Sequence, residues 1–324
     1  MLNSQLRFKT VYRIVGTESG RTSTTILKPP VSIEKEGIAL QTMTKHEAVG
    51  VDAGGADLRS MFIADPGFVF IEADSSQAED RVVAVLSKDW GAFEILNKKE
   101  FKYNDHGLKD DRHSLTAMDV CNIRFVDVNH MYRQMGKKTR HAGNYDIGKH
   151  QHMLNLVKYG DIYISEWRAG KQLEAFHKAN PNIRGVYHAE IQEALADNNC
   201  TLSTPHGRRR TFFNKWGREM FKEAYSYIPQ AVVSDNVKFA MLRIRKQLPK
   251  RDFQFCQESH DSFLSLCREY LVEEAKEIIR KEMEVEIDFN HCSLPRDYLL
   301  SIPCDIKMGH RWIDKSEDYP DGMK

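Results

Sequence analysis

The chain has 324 residues, of which 41% are hydrophobic and 29% charged. That balance supports a packed core and excludes a disordered chain, and the length suits one large domain or two smaller ones. Lysine and arginine number 47 against 46 acidic residues, a net charge of +1, so overall charge points to no nucleic-acid partner and any DNA-binding surface must come from local clusters.

The N-terminus, Met-Leu-Asn-Ser-Gln-Leu-Arg-Phe-Lys, lacks an apolar run of signal-peptide length. No uncharged stretch reaches the ~20 residues needed to span a bilayer. A soluble, cytoplasmic protein with no membrane association is expected. The cysteines, Cys121, Cys200, Cys256, Cys267, Cys292 and Cys304, form no C-x-x-C pair and no zinc-ligand spacing, so reduced, buried thiols are expected.

Residues 1 to about 60 are rich in Thr, Ser, Gly and Lys and read as loops with short strands. Asp65-Pro66-Gly67 signals a turn, and Phe68-Val69-Phe70-Ile71-Glu72-Ala73 after it predicts a buried strand ending at Asp74. Ala78, Val82, Val85 and Leu86 share one helical face. Residues 128–200 read as mostly helical, with a break at Asn180-Pro181-Asn182. Cys200-Thr201-Leu202 is strand-like, and Pro205-His206-Gly207 is a turn. Residues 217–247 form a helical run that Pro229 should kink or split. Phe253–Phe255 and Phe263–Cys267 flank Glu258-Ser259-His260-Asp261, which predicts a hairpin with Asp261 near its tip. Leu271, Ala275, Ile278 and Ile279 give a late amphipathic helix, and Ile302–Ile313 reads as extended. The sum is α+β: a helical insertion inside a sheet domain.

Two features carry chemistry. Asp74 ends a strand and Asp261 sits at a hairpin tip far away in sequence, and two aspartates on neighbouring strand ends suit a pair of magnesium ions in phosphoryl transfer. Taken alone, an Asp ending a strand is usually a turn former or helix cap. Between them, Arg133, Lys137, His141 and Tyr145 recur every fourth position and share a helix face. Cations on successive turns could grip a triphosphate while an aromatic ring stacks on a base; the plainer alternative is a solvated basic face.

Motif order adds to this. Ile71-Glu72-Ala73-Asp74-Ser75-Ser76-Gln77-Ala78-Glu79-Asp80-Arg81 resembles motif A of family A (polymerase I type) DNA polymerases. Tyr132 to Tyr145 resembles their motif B, and His260-Asp261-Ser262, within Phe255 to Leu264, their motif C. Ser19-Gly20-Arg21-Thr22-Ser23, Thr204-Pro205-His206-Gly207-Arg208-Arg209-Arg210, Pro229-Gln230 with Asp235, and Ile302 to Trp312 match further family segments in order. The look is closest to bacteriophage members, several of which share Ser in place of the usual Glu at 262. His141 stands where Lys is usual, Asp146 where Gly is usual, and Lys149 where a second aromatic is common.

The resemblance implies a right-hand fold: palm from 1–86 and 204–324, an antiparallel sheet with helices, and helical fingers from 87–203, with no segment matching a thumb or an exonuclease. It implies two Mg2+ ions held by Asp74, Asp261 and Ser75, with His141 as the acid that protonates departing pyrophosphate, more weakly at alkaline pH than a lysine would. Lys137, His141, Tyr145, Gln77, Glu79 and Arg133 become the nucleotide-binding set; Glu79 blocks a 2′-hydroxyl, and Tyr145 admits dideoxynucleotides. Arg21, Arg208, Arg209, Gln230 and His260 become the DNA-binding set. The expected partners are primer–template DNA, deoxynucleoside triphosphates and a separate chain supplying thumb or exonuclease, in a bacterial or phage-infected cell. A non-catalytic DNA-binding remnant or subunit is the alternative, and a single-subunit RNA polymerase is disfavoured by Glu79.

Overall fold

The computed structural model describes residues 11–13, 17–25, 41 and 58–324. Most of the loops and short strands expected before about residue 60 lie outside the described residues. In chain order the elements are β1 (Val11–Arg13), β2 (Ser23–Thr25), β3 (Phe68–Ser75), α1 (Ala78–Leu86), α2 (Trp90–Leu96), α3 (Arg112–Cys121), α4 (His130–Asn144), α5 (Lys149–Gly160) and α6 (Glu166–Ala179). A π-helical turn (Ile183–His188), α7 (Ala189–Asp197), β4 (Thr201–Ser203), β5 (Arg209–Thr211), α8 (Arg218–Gln247), β6 (Phe253–Ser259), β7 (Ser262–Arg268) and α9 (Val272–Met283) follow. The chain closes with β8 (Ile287–Asp288), β9 (Leu299–Leu300), β10 (Cys304–Gly309), β11 (Arg311–Asp314) and β12 (Gly322–Met323). The α+β class is observed, as two compact units: a sheet unit of Met1–Ala78, Gln230–Ile287 and Ser301–Lys324, and a helical unit of Glu79–Pro229 and Asp288–Leu300.

In the sheet unit, β10-β3-β7-β6 form an antiparallel sheet. The turn before β3 is the one that Asp65-Pro66-Gly67 signals. Gly67 sits at φ +77, a left-handed value that glycine adopts without steric cost, and the Phe68 N–H closes on the Asp65 carbonyl at 2.9 Å. Because side chains alternate along a strand, Val69, Ile71 and Ala73 point to one face. There they join Phe263 and Cys267 of β7, Val237, Ala240 and Ile244 of α8, and Ala275 and Ile279 of α9 in one core. Phe70 points to the other face and packs with Leu264, Leu266, Trp312 and Met323. The buried Cys267 and Cys304 are free thiols that burial pushes up to about 12.

In the helical unit, side-chain caps start the helices at the expected residue types. Asp111 accepts from the His113 and Ser114 N–H groups, Asn129 from Tyr132, and Ser165 from Arg168. Helices α3 and α4 approach so closely that a Cβ on Gly136 would lie 2.3 Å from the His113 carbonyl oxygen. The α8 helix departs from expectation, because it runs through Pro229 as one element rather than splitting there. Proline supplies no N–H to the carbonyl four residues back, which is that of Tyr225. The buried Tyr187 hydroxyl donates to that carbonyl instead, so its hydrogen bond is kept.

Candidate active site

The sheet unit brings the two expected aspartates to one end. The register sets Asp74 opposite Ser262 on one side and Asp305 on the other. The Ser75 N–H donates to the Asp261 carbonyl at 2.9 Å, tying the end of β3 to the β6–β7 hairpin. Ser75 is buried, Asp74 half-buried and Asp261 exposed. The hairpin tip is two residues long, with Ser259 paired to Ser262 around His260 and Asp261. His260 adopts φ +60, and the Asp261 N–H reaches the Ser259 carbonyl at 2.7 Å. A three-residue turn with positive φ at a non-glycine centre is strained by ~1–3 kcal/mol. The Glu258 side chain helps to hold it, accepting from the His260 N–H at 3.2 Å. Burial pushes the Glu258 carboxyl above its ordinary range, against the opposing charges of Lys238 and Arg21.

The face bearing Asp74 also presents Glu72. Both line a polar cavity of about 100 Å³ with Arg59, Gln257, Ser262 and Trp312. Arg59 lies 3.8 Å from Glu72 and stacks over the Trp312 ring at 4.4 Å. A larger groove in the same unit, about 760 Å³, runs between Tyr12, Met241, Leu242, Arg245 and Phe255. Neither Asp74 nor Asp261 lines it, and its walls combine apolar side chains with the cations Lys238, Arg245 and Lys250. Gln77, at φ +50, makes the turn between β3 and α1, and Gln230 lies half-buried on α8.

In the helical unit, α4 presents the expected basic face. Arg133 is paired with Asp111 at 2.5 Å, which orients its guanidinium from the cap of α3. Lys137 and His141 are exposed. The His141 ring meets Tyr145 edge-on at 5.0 Å, and the buried Tyr145 donates its hydroxyl to Glu79 at 2.5 Å. Glu79 and Tyr145, 66 residues apart, are thus brought together. Asp146, which follows Tyr145, has φ +50 and is paired with Arg184 at 2.7 Å. The expected turn joins β4 to β5, closed by Gly207 N–H to Thr204 O at 2.9 Å with Gly207 at φ +81. Of its arginines, Arg208 is half-buried and Arg209 exposed, while Arg210 pairs with Glu223 at 2.5 Å and stacks on Phe212 at 4.3 Å.

Sequence reasoning missed a buried polar network beneath α4. Asp80 lies 3.2 Å from Arg112, 3.5 Å from Arg140 and 3.2 Å from Asn144, and Arg140 also donates to Thr116 at 2.9 Å. Burial pushes the Asp80 carboxyl up, but Arg140 and Arg112 outweigh it and hold it well below the usual carboxylate range. Arg140 and Asn144, one helical turn apart, were a signal at the buried edge of the face singled out.

The donor set fits magnesium. No group of three or more His, Cys, Asp or Glu side chains suited to a metal occurs among the described residues. The Asp74 and Asp261 carboxylates are hard oxygen donors, the ligand type that magnesium takes together with water and substrate oxygens. No helix among the described residues is long and apolar enough to cross a membrane.

Comparison with known proteins gives the family. Residues 3–314 match the profile described as DNA polymerase family A. The chain belongs to that family. It is 26% identical over 232 residues to DNA polymerase I of Aquifex aeolicus, covering 70% of this chain and 37% of that protein. It is 22% identical over 272 residues to the thermostable DNA polymerase I of Thermus filiformis, covering 82% of this chain and 29% of that protein. The fold is similar to the POL domain of Pol1 from M. smegmatis, solved in complex with DNA primer-template and dNTP. That likeness has a TM-score of 0.70 at 22% identity and covers 96% of this chain and 49% of that one. The chain thus spans well under half the length of these curated relatives.

Proposed function

We propose that this chain is the palm and fingers of a template-directed DNA polymerase that extends a primer 3′ end with deoxynucleotides and releases pyrophosphate, in DNA replication or repair. The palm comprises 1–86 and 204–324 and the fingers 87–203, as functional divisions; the compact units of the backbone divide at 78/79, 229/230, 287/288 and 300/301. The observation that carries the proposal is the juxtaposition of Asp74 and Asp261, enforced by the β3–β7 register and the Ser75–Asp261 hydrogen bond.

Asp74 and Asp261, with Ser75, would hold two magnesium ions, and the chemistry these would supply is Lewis-acid polarisation of the attacking hydroxyl and the leaving oxygen. The chain's own residues do the rest. Lys137 and Arg133 grip phosphate, and His141, exposed beside them, donates the proton that pyrophosphate takes. Tyr145, braced edge-on by His141 and hydrogen-bonded to Glu79, presents an aromatic ring to the incoming nucleotide. Glu79 excludes a 2′-hydroxyl, and Gln77 completes the nucleotide set. Arg21, Arg208, Arg209, Gln230 and His260 position primer–template DNA, the arginines through phosphates. Ser262, a variant shared with several bacteriophage members of the family, supports a bacteriophage affinity.

The test is extension of a labelled primer on a DNA template with magnesium and deoxynucleotides. Extension by the natural chain, lost in both Asp74→Ala and Asp261→Ala, is the expected result. Binding to primer–template without extension would replace the proposal with a non-catalytic DNA-binding subunit.

A further inference from the structure

Asp146 sets a physical problem. It sits at φ +50, in the left-handed region where a side chain is strained, and it carries a negative charge immediately after the aromatic residue proposed to meet a triphosphate. The structure answers both difficulties from one place, the π-helical turn Ile183–His188. Arg184 of that turn pairs with the Asp146 carboxylate at 2.7 Å. His188, from the same turn, is 2.8 Å from the Asn144 carbonyl at the end of α4, and its ring stacks on Tyr225 at 3.8 Å. The last residues of α4 and the turn after it are thus held on both sides of Tyr145. Extra-residue turns of this kind occur often at functional sites.

We propose that Arg184 is a positioning residue for nucleotide selection. By neutralising Asp146 and locking its left-handed turn, it fixes the Tyr145 ring in the orientation in which its hydroxyl reaches Glu79. The proposal rests on the reading of Tyr145 and Glu79 as the pair facing the nucleotide sugar. Arg184 is more than half exposed and Asp146 about one quarter. The pair therefore acts through geometry and local charge; an exposed ion pair adds little to global stability.

The experiment is steady-state extension by the natural chain and by Arg184→Ala, Arg184→Lys and the double variant Arg184→Ala/Asp146→Gly, with melting temperatures in parallel. In Arg184→Ala the carboxylate remains on a strained turn without its cation. The expected result is a rise of about tenfold in the KM for deoxynucleotide, a change in the dideoxy-to-deoxy incorporation ratio, and kcat within about threefold. Arg184→Lys should recover part of the loss. The double variant should return KM to within about threefold of the natural value, because glycine accepts the left-handed turn and brings no charge.

An unchanged KM and dideoxy ratio in Arg184→Ala would overturn the proposal, as would a double variant no better than the single one. If Arg184→Ala does not fold, Arg184→Lys decides it: it must shift the dideoxy-to-deoxy ratio, and Arg184→Lys/Asp146→Gly must bring the ratio back. If the natural chain does not extend primers at all, the polymerase reading falls and this inference falls with it. A natural chain that extends normally beside an indifferent Arg184→Ala removes this inference alone.

Discussion

Asp80 shows how much a single residue can carry without touching substrate. It is buried between two guanidinium groups, those of Arg112 and Arg140, and it also accepts from Asn144. Removing one member of a buried ion network leaves the others charged and desolvated, at a cost of ~3–5 kcal/mol. Asp80→Ala should therefore lower the urea stability of the helical unit by about that much, and a loss below ~1 kcal/mol would show that water already reaches the arginines. Asp80 was not legible as a network member. Its partners lie 32, 60 and 64 residues away, and sequence spacing reports only neighbours on one element. Arg140 was equally hidden: it belongs to the same basic run as Lys137, but one is buried and the other exposed, and residue type alone does not separate them. Asp74 was legible because it closes an apolar, β-prone run that starts directly after a turn signal.

Among elements, α8 is the instructive departure. Proline at 229 reads as a break, yet the helix continues because the Tyr187 hydroxyl occupies the Tyr225 carbonyl that proline cannot reach. Tyr187→Phe should destabilise the helical unit by ~1–3 kcal/mol, the cost of a buried acceptor without its donor. In a Pro229→Ala background the same substitution should be much milder, because the alanine N–H restores the bond within the helix. Thermal unfolding of the two single variants and the double variant measures the coupling, and strictly additive effects would remove the explanation. Elements with a clean period, β3, α4, α9 and the β6–β7 hairpin, stood out from sequence. The α2 and α3 helices did not, since their short apolar stripes pack on neighbours that no local pattern announces.

At the scale of the molecule, the order of the motifs along the chain was legible and the sheet order β10-β3-β7-β6 was not, because strand neighbours far apart in sequence leave no periodic trace. The helical unit also has a collective acid sensitivity. His113, His152, His177 and His188 are all pushed down to about 4, burial being the largest cause in each. Their ordinary value is 6.5, so between these limits the unfolded chain binds more protons than the folded one, and stability rises with pH. The contribution is complete above about 6.5 and is lost progressively as pH falls towards about 4, by up to ~1.4 kcal/mol per unit for each histidine. Urea midpoints at pH 7 and pH 4.5 check this, and equal midpoints would contradict it. The hairpin that carries Asp261 has a different consequence, one of heredity. Its tip is a two-residue loop, and one inserted residue that left this loop its length, with no new bulge to absorb it, would turn every later side chain of β7 to the opposite face of the sheet. A lineage can therefore exchange letters at this tip, as Ser262 illustrates, while the number of letters there stays fixed for as long as Asp261 must stand beside Asp74.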